Sequence, residues 1–133
     1  MRWVVTIVMI FHGLIHIMGG VNELGLSKIE ELSVGTLIVL PNLLQRMLGI
    51  VWFAAVALFL VSAIGLIMKR NWWKKIAISA VIVSQLLIIL WWPSAKFGSI
   101  ANVIILIGLI NIKGTSDFGV NTGIKNIETL YEK

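Results

Sequence analysis

The sequence predicts an all-α protein: a bundle of four transmembrane helices with the N and C termini in the cytoplasm. Hydrophobic residues make up 59% of the 133-residue chain, charged residues make up only 13%, and the mean hydropathy is +0.99. An ordinary soluble domain is about 45–50% apolar and about 25% charged, and so short a chain cannot bury this much apolar surface in its own core. Four long apolar runs and an uneven distribution of basic residues complete the prediction.

A membrane-spanning helix needs about 20 largely apolar residues. Four segments reach or approach that length: 3–20, 43–68, 73–92 and 99–112. We therefore expect one transmembrane domain over residues 1–112, followed by a polar cytoplasmic tail over 113–133. The first span is interpreted as a retained helix and not as a cleaved signal peptide, because two histidines interrupt it and no A-x-A cleavage site follows.

Lysine and arginine residues set the predicted orientation. Four of them lie in the loop 69–75, whereas the first loop, 21–42, has one lysine against three glutamates and the third loop has only Lys96. Because basic residues collect on the cytoplasmic side, we expect the loop 69–75 and both termini in the cytoplasm. The first and third loops are then outside.

Tryptophan pairs bracket the third span, as in the aromatic belts of membrane–water interfaces. The pairs are Trp72 with Trp73 and Trp91 with Trp92. The stretch from Trp73 to Trp91 corresponds to about 27 Å of helix, close to the hydrocarbon thickness of about 30 Å. In the first loop, residues 24–32 mix apolar and charged side chains, which favours a short amphipathic helix or lid at the outer interface.

With this orientation, the strongly polar residues of the spans fall in the outer half of the membrane. His12 lies near the midplane, His16 about 6 Å further out, and Gln85 about 10 Å below the outer end of its helix. Polar side chains in hydrocarbon normally face the bundle interior or a wet cavity, which predicts one shared polar pocket. The candidate ligand-binding residues are His12, His16, Glu23, Arg46, Gln85, Lys96 and Asn102.

Three interpretations of the histidine pair compete, and the spacing of four residues places both rings on one helix face. In the first interpretation, the rings form hydrogen bonds to Gln85, Asn102 or backbone carbonyls and so hold helices together. Alternatively, they form a ligand or proton-handling site, which makes His12 and His16 the candidate catalytic residues. The third interpretation is a metal or haem site: His-x3-His chelates zinc with Glu23 as third ligand, whereas bis-histidine haem needs a second helix or subunit.

Arg46 has two interpretations, since it lies close enough to the interface to extend towards water or pairs with Glu23 or an anionic ligand group. Gln85 is too short to reach either interface, which favours hydrogen bonding between helices. The chain has no cysteine, which excludes disulfides, thiolate metal sites and dithiol redox chemistry. Its net charge of +5 comes from basic residues scattered at the ends of apolar runs. This distribution indicates contact with the lipid bilayer and not with nucleic acid.

The stretch WWPSAKFGSIAN over residues 91–102 resembles W-x-D-A-K-x-G-[ST]-x-x-N, a pattern that follows the third helix in small DoxX-like four-helix membrane proteins. The matching residues are Trp91 or Trp92, Ala95, Lys96, Gly98, Ser99 and Asn102, with Ser84 and Gln85 matching an upstream S-Q pair. The runs RMLGIVW (46–52) and HGLIHIMGG (12–20) are also similar, so the resemblance covers roughly residues 10 to 110. Ser94 replaces the aspartate of the pattern, and the role of that carboxylate therefore does not carry over.

This resemblance implies a multi-pass protein of a bacterial or archaeal plasma membrane. It also implies a lipophilic small ligand, because relatives are linked to quinone-coupled oxidation and the wider fold class includes sterol isomerases. Most members have no established activity, and a fold does not determine a function. Quinone chemistry of the disulfide type is excluded here by the absence of cysteine.

Two functional hypotheses follow. The first is a pocket in the outer half of the bundle that binds a quinone, an isoprenoid or a lipid. If the protein is an enzyme, proton transfer by a histidine is the simplest reaction. Zinc or haem is a less favoured cofactor than a quinone or a lipid. The second is a non-enzymatic accessory or scaffold subunit, in a homo-oligomer or with a membrane-protein partner, whose polar residues serve helix packing. A monomeric channel is disfavoured, because the spans contain no carboxylate.

Overall fold

The computed structural model describes residues 1–32 and 35–112, which are mainly helical and contain no strand. In chain order the elements are α1 (Arg2–Glu23), a 3-10 turn (Glu30–Leu32), α2 (Asn42–Ile67), α3 (Trp73–Leu90), α4 (Trp92–Ala95) and α5 (Gly98–Asn111). Helices α1, α2 and α3 are long and apolar enough to cross a membrane, and α5 is a shorter apolar helix. The predicted all-α fold is confirmed, and its apolar helices are compatible with an integral membrane protein.

The four apolar helices form a ring, because α1 and α3 each pack against both α2 and α5. Large hydrophobic side chains cover the outward faces: Phe11 is 64% exposed and Ile110 is 82% exposed. Soluble monomers rarely present extended apolar surfaces of this kind. These faces therefore suit contact with lipid.

Two apolar clusters fill the interior of the ring, one towards each end. The cluster at the end where the chain begins contains Val5, Met9, Phe59, Ala63, Leu66, Trp73, Ala77, Ala80, Val81, Ile105 and Leu109. The cluster at the other end contains Leu40, Trp52, Ala55, Leu87 and Trp91. Between them along the helices lie four buried polar residues: His12, His16, Ser84 and Asn102.

Helix α1 continues to Glu23, past the predicted end of the first span at Gly20. The glycines here allow a close approach of helices and do not end the helix. A methyl group on Gly19 would come within 2.4 Å of the Trp52 ring, and one on Gly20 would come within 2.6 Å of the Phe53 ring. Glycine therefore leaves room for two aromatic rings of α2.

The fourth apolar helix differs slightly from its predicted range of 99–112, since α5 covers Gly98–Asn111. A separate short helix, α4, precedes α5 and has a proline in its first turn, where a missing N–H is tolerated. The tail 113–133 lies outside the described residues.

Each tryptophan pair has one buried and one exposed member, so only one ring of each pair lies at the surface. Trp73 is 3% exposed and Trp91 is 1% exposed, whereas Trp72 is 38% exposed and Trp92 is 45% exposed. The buried rings extend the two apolar clusters. Trp73 and Trp91 therefore pack inside the bundle at the two ends of α3, and Trp72 and Trp92 are the members that face outwards.

The loop after α1 is joined to the ends of two helices. The backbone N–H of Ile29 donates to Oδ1 of Asn22 over 3.0 Å, and the backbone N–H of Leu37 donates to the carbonyl of Leu90 over 2.7 Å. The amphipathic helix expected over 24–32 is limited to the 3-10 turn, which contacts α4. The loop therefore covers one end of the bundle.

We expect Gly108→Ala to destabilise the protein, although alanine favours a helix over glycine by about 1 kcal/mol. The added methyl would come within 2.4 Å of Cγ2 of Val5, on the facing helix α1, and overpacking of this kind costs about 1–3 kcal/mol. Thermal unfolding in detergent measures the effect. Val5→Ala removes the clashing atoms, so the double variant should be more stable than the sum of the single effects. Strictly additive effects would contradict this packing.

Candidate functional site

Ser84, on α3, joins three helices through one hydroxyl group. Its Oγ lies 3.1 Å from Nε2 of His12, 2.9 Å from Nε2 of His16 and 3.1 Å from Nδ2 of Asn102. The histidines belong to α1 and Asn102 to α5, and all four side chains are buried. We call these four residues the Ser84 cluster.

The hydrogen-bond partners define the tautomers of both histidines. Nδ1 of His16 lies 2.9 Å from the backbone carbonyl of His12, and this nitrogen must donate because a carbonyl has no proton. In the neutral ring, Nε2 of His16 then accepts the hydroxyl proton of Ser84. The oxygen of Ser84 is left to accept from Nε2–H of His12 and from the amide of Asn102. This arrangement uses every hydrogen-bonding position of the hydroxyl group without any charge.

Asn102 extends the network to the side of α3 next to Ser84. Its second amide proton is donated to Oε1 of Gln85 over 3.1 Å, and Nε2 of Gln85 donates to Oγ of Ser99 over 3.1 Å. Oδ1 of Asn102 also lies 3.3 Å from Oγ of Ser84, as a second acceptor for the hydroxyl proton. Helices α3 and α5 are therefore joined by consecutive polar contacts.

Helix α2 faces the histidines with aromatic rings and no polar partner. The ring centroids of His12 and Phe59 are 5.0 Å apart, and those of His16 and Trp52 are also 5.0 Å apart. The two imidazoles lie 4.6 Å from each other, nearly perpendicular. The histidines thus lie between a hydrogen-bonding side, formed by α3 and α5, and an aromatic side.

Glu23 binds a buried tryptophan and not the histidines. Its Oε1 accepts a hydrogen bond of 3.0 Å from Nε1 of Trp91 and another of 2.9 Å from Nδ2 of Asn22. The described residues include no group of three histidine, cysteine, aspartate or glutamate side chains that could hold a metal ion. The zinc hypothesis that combined His12, His16 and Glu23 is therefore not supported by the geometry.

Arg46 and Lys96 lie apart from the Ser84 cluster. Arg46 is exposed on the first turn of α2, and within the described ranges it has no ion pair with Glu23. Lys96 is exposed too, with its Nζ 5.5 Å from the centre of the Phe97 ring. Of the seven predicted site residues, the structure thus brings four into one network: His12, His16, Gln85 and Asn102.

A cavity of about 300 Å³ adjoins the two histidines. Besides His12 and His16, its wall includes apolar side chains such as Leu32, Ile88 and Phe97. Ile15 is 58% exposed, Met18 is 42% exposed and Phe97 is 73% exposed. Because these three residues line the cavity and also lie at the surface, the cavity reaches the apolar exterior of the bundle.

Two residues that line the cavity each carry a buried polar atom without a partner. The atoms are Nε1 of Trp52 and Oγ of Ser94, which find no hydrogen bond within the described part of the chain. Buried polar groups are normally paired. Neither residue is among the predicted site residues. A tryptophan within an apolar run is typical of a hydrophobic core, and Ser94 stands where the motif has an aspartate.

The Ser84 cluster can move a proton between the two histidines. When Nδ1 of His12 takes up a proton, the proton on its Nε2 can move to Ser84, and the hydroxyl proton of Ser84 can move to Nε2 of His16. His16 then carries the positive charge, and His12 remains neutral with its tautomer reversed. A positive charge on His16 would be buried without a counter-ion among the described residues, and that cost opposes the transfer.

Comparison with protein-family models, curated proteins and solved structures finds no match to this chain. The resemblance to DoxX-like proteins therefore rests on the residues of the motif alone.

We expect Ser84→Ala to lower the free energy of unfolding by at least about 3 kcal/mol, because three buried polar groups lose a partner and each unpaired group costs about 1–3 kcal/mol. The substitution leaves His12, His16 and Asn102 each without one partner. Unfolding in detergent measures the loss. Ser79→Ala is the matched control, since Ser79 is exposed on the same helix and bonds only to the Lys75 carbonyl. Equal effects of the two substitutions would contradict the role of Ser84.

Proposed function

We propose that the chain is a multi-pass membrane protein that binds a lipophilic small molecule, such as a quinone, an isoprenoid or a lipid, in the cavity beside the Ser84 cluster. One observation carries the proposal: an apolar cavity of about 300 Å³ has two hydrogen-bonded histidines in its wall. Ligand sites are typically mostly apolar with a few placed polar groups. The cavity has that composition.

The size of the cavity supports a ring-sized or short-chain group as the enclosed part of the ligand. Its volume of about 300 Å³ is roughly twice that of an engineered cavity that binds benzene and is at the lower end of ligand pockets. The surface-exposed members of its wall, Ile15, Met18 and Phe97, leave a route for a longer apolar chain. The rest of the ligand would then extend into the surrounding lipid.

The proposal divides the candidate residues into two groups. His12 and His16 contact the ligand, with His12 as the residue that exchanges a proton if a reaction follows. Gln85 and Asn102 act through Ser84, because they position the histidines and are absent from the cavity wall. Glu23, Arg46 and Lys96 lie outside the wall and have no contact with the ligand in this proposal.

The proposal includes the topology and the family resemblance: a DoxX-like protein whose α5 also crosses the membrane, with both termini and the loop 69–75 in the cytoplasm. The four basic residues of that loop support the orientation. It applies to a plasma membrane of prokaryotic type, as the resemblance implies.

Single cysteines test the orientation directly, because the chain contains none. We expect Lys75→Cys to be protected from a membrane-impermeant maleimide added to intact cells and Lys28→Cys to react with it. Both sites are exposed in the fold, so permeabilised cells provide the control in which both react. Labelling of Lys75→Cys in intact cells would contradict the proposed orientation.

A second candidate function is an accessory or scaffold subunit that binds a membrane-protein partner or a second copy of the chain. The observation in its favour is the complete hydrogen bonding of the Ser84 cluster, which is what helix joining requires. The cavity favours the binding function.

We expect Ala101→Phe to abolish retention of the ligand, because the phenyl ring fills the cavity that Ala101 lines. Mass spectrometry of small molecules in gently purified protein measures retention. The matched control is Ala57→Phe, on the exposed face of α2. A defined molecule present in wild type and Ala57→Phe and reduced at least 10-fold in Ala101→Phe supports the proposal. Identical lipids in all three folded proteins would contradict it and favour the scaffold function.

A further inference from the structure

The net charge of the protein is concentrated at the end of the bundle where α1 begins and where α2 turns into α3. Five basic residues lie at this end, which we call the basic end: Arg2, Lys69, Arg70, Lys74 and Lys75. The acidic residues of the described part of the chain belong to the last turn of α1 and to the 3-10 turn, at the opposite end. Three basic residues balance them there: Lys28, Arg46 and Lys96. Because the sequence of the tail contains equal numbers of basic and acidic residues, the basic end accounts for the whole net charge of +5.

A compact turn holds four of these residues close together. The backbone N–H of Arg70 donates to the carbonyl of Gly65 over 2.9 Å, and that of Lys69 donates to the carbonyl of Leu66 over 3.2 Å. These two bonds form a Schellman motif at the end of α2. Lys69 has the left-handed conformation that the motif requires, with a φ of 55°, and α3 begins three residues after Arg70. Like charges held in one turn repel each other, and a bound anion would relieve that repulsion.

An apolar stripe leads from the basic end along the outward face of α3. Lys75 is exposed, and Ile78 and Ile82 follow it three and seven residues later, with Ile89 another seven residues on. This spacing places the four residues on one face of the helix, and the three isoleucines are all exposed. The face therefore presents a positive charge at its end and an apolar surface below it. A phospholipid with an anionic head group has the complementary order of phosphate and acyl chains.

We infer that the basic end binds the head groups of anionic phospholipids, with their acyl chains along the exposed face of α3. A basic residue near a membrane surface contributes roughly 5-fold to the attraction of anionic lipid. A soluble anion such as inorganic phosphate would contact the charges alone and leave the apolar stripe uncovered, whereas a phospholipid contacts both. This surface lies on the other side of the Ser84 cluster from the cavity, and the inference goes beyond the proposed binding function.

Native mass spectrometry of the full chain in detergent tests the inference with equal amounts of phosphatidylglycerol and phosphatidylcholine that carry identical acyl chains. We expect adducts of phosphatidylglycerol to exceed those of phosphatidylcholine at least ~10-fold, because several basic residues act together. The preference should fall when ammonium acetate is raised from about 0.05 to about 0.5 M, since salt screens exposed charges. Inorganic phosphate at the concentration of the lipid should leave the adducts unchanged.

Paired charge variants locate the binding surface. Arg70→Gln/Lys75→Gln should reduce the preference for phosphatidylglycerol at least ~5-fold. The matched control is Lys28→Gln/Arg46→Gln, which removes the same charge from exposed residues of the opposite end and should leave the preference unchanged. Arg70→Lys/Lys75→Arg keeps both charges and should also keep the preference. Thermal unfolding in detergent shows that each variant is folded.

Three results would overturn the inference. Equal adducts of the two lipids in wild type would mean that the basic end does not select anionic lipid, and equal losses in the two glutamine variants would mean that only net charge matters. Displacement of the lipid by inorganic phosphate would identify a soluble anion as the ligand. Ala101→Phe should not alter the preference for phosphatidylglycerol, so failure of the cavity proposal and failure of this inference are distinguishable.

Discussion

The hydrogen bonds of one buried hydroxyl group determine how α1, α3 and α5 are arranged. In an apolar bundle the helix backbones satisfy their own polar groups, so only polar side chains must find partners between helices. Ser84 provides those partners for both histidines and Asn102. A rotation of α1 or α5 would leave at least one of these buried groups unpaired, and the cluster therefore fixes the facing sides of three helices.

The same constraint separates the interior into two functional parts. Towards the chain start, small residues such as Gly108 allow α5 to lie directly against Val5, and the space is filled by the first apolar cluster. The cavity lies on the other side of the Ser84 cluster. His12 and His16 belong to both parts, because one edge of each ring bonds to Ser84 and the ring also lines the cavity. Stability and the proposed ligand contact thus depend on the same two side chains.

Sequence patterns predicted the helices and much of the polar cluster. A spacing of four residues predicted that His12 and His16 lie on one helix face. Gln85 is too short to reach either membrane–water interface, which predicted that it faces the other helices. The central role of Ser84 was not predictable from local sequence. Serine and threonine in helices commonly bond to the carbonyl four residues earlier, as Ser79 does to Lys75. Only the position of α1 and α5 distinguishes Ser84 from Ser79.

The charged residues were harder to place, because their positions depend on how loops and helix ends fold. Glu23 is on an added turn of α1 that brings it to Trp91, and the sequence alone ends that helix at two glycines. Arg46 is exposed on the first turn of α2. Because no charged side chain in the described part of the chain lines the cavity, its wall would recognise a ligand through apolar contact and neutral hydrogen bonds. Selectivity in such a wall depends on matching donors with acceptors, since an unmatched polar atom is as costly for the ligand as for the protein.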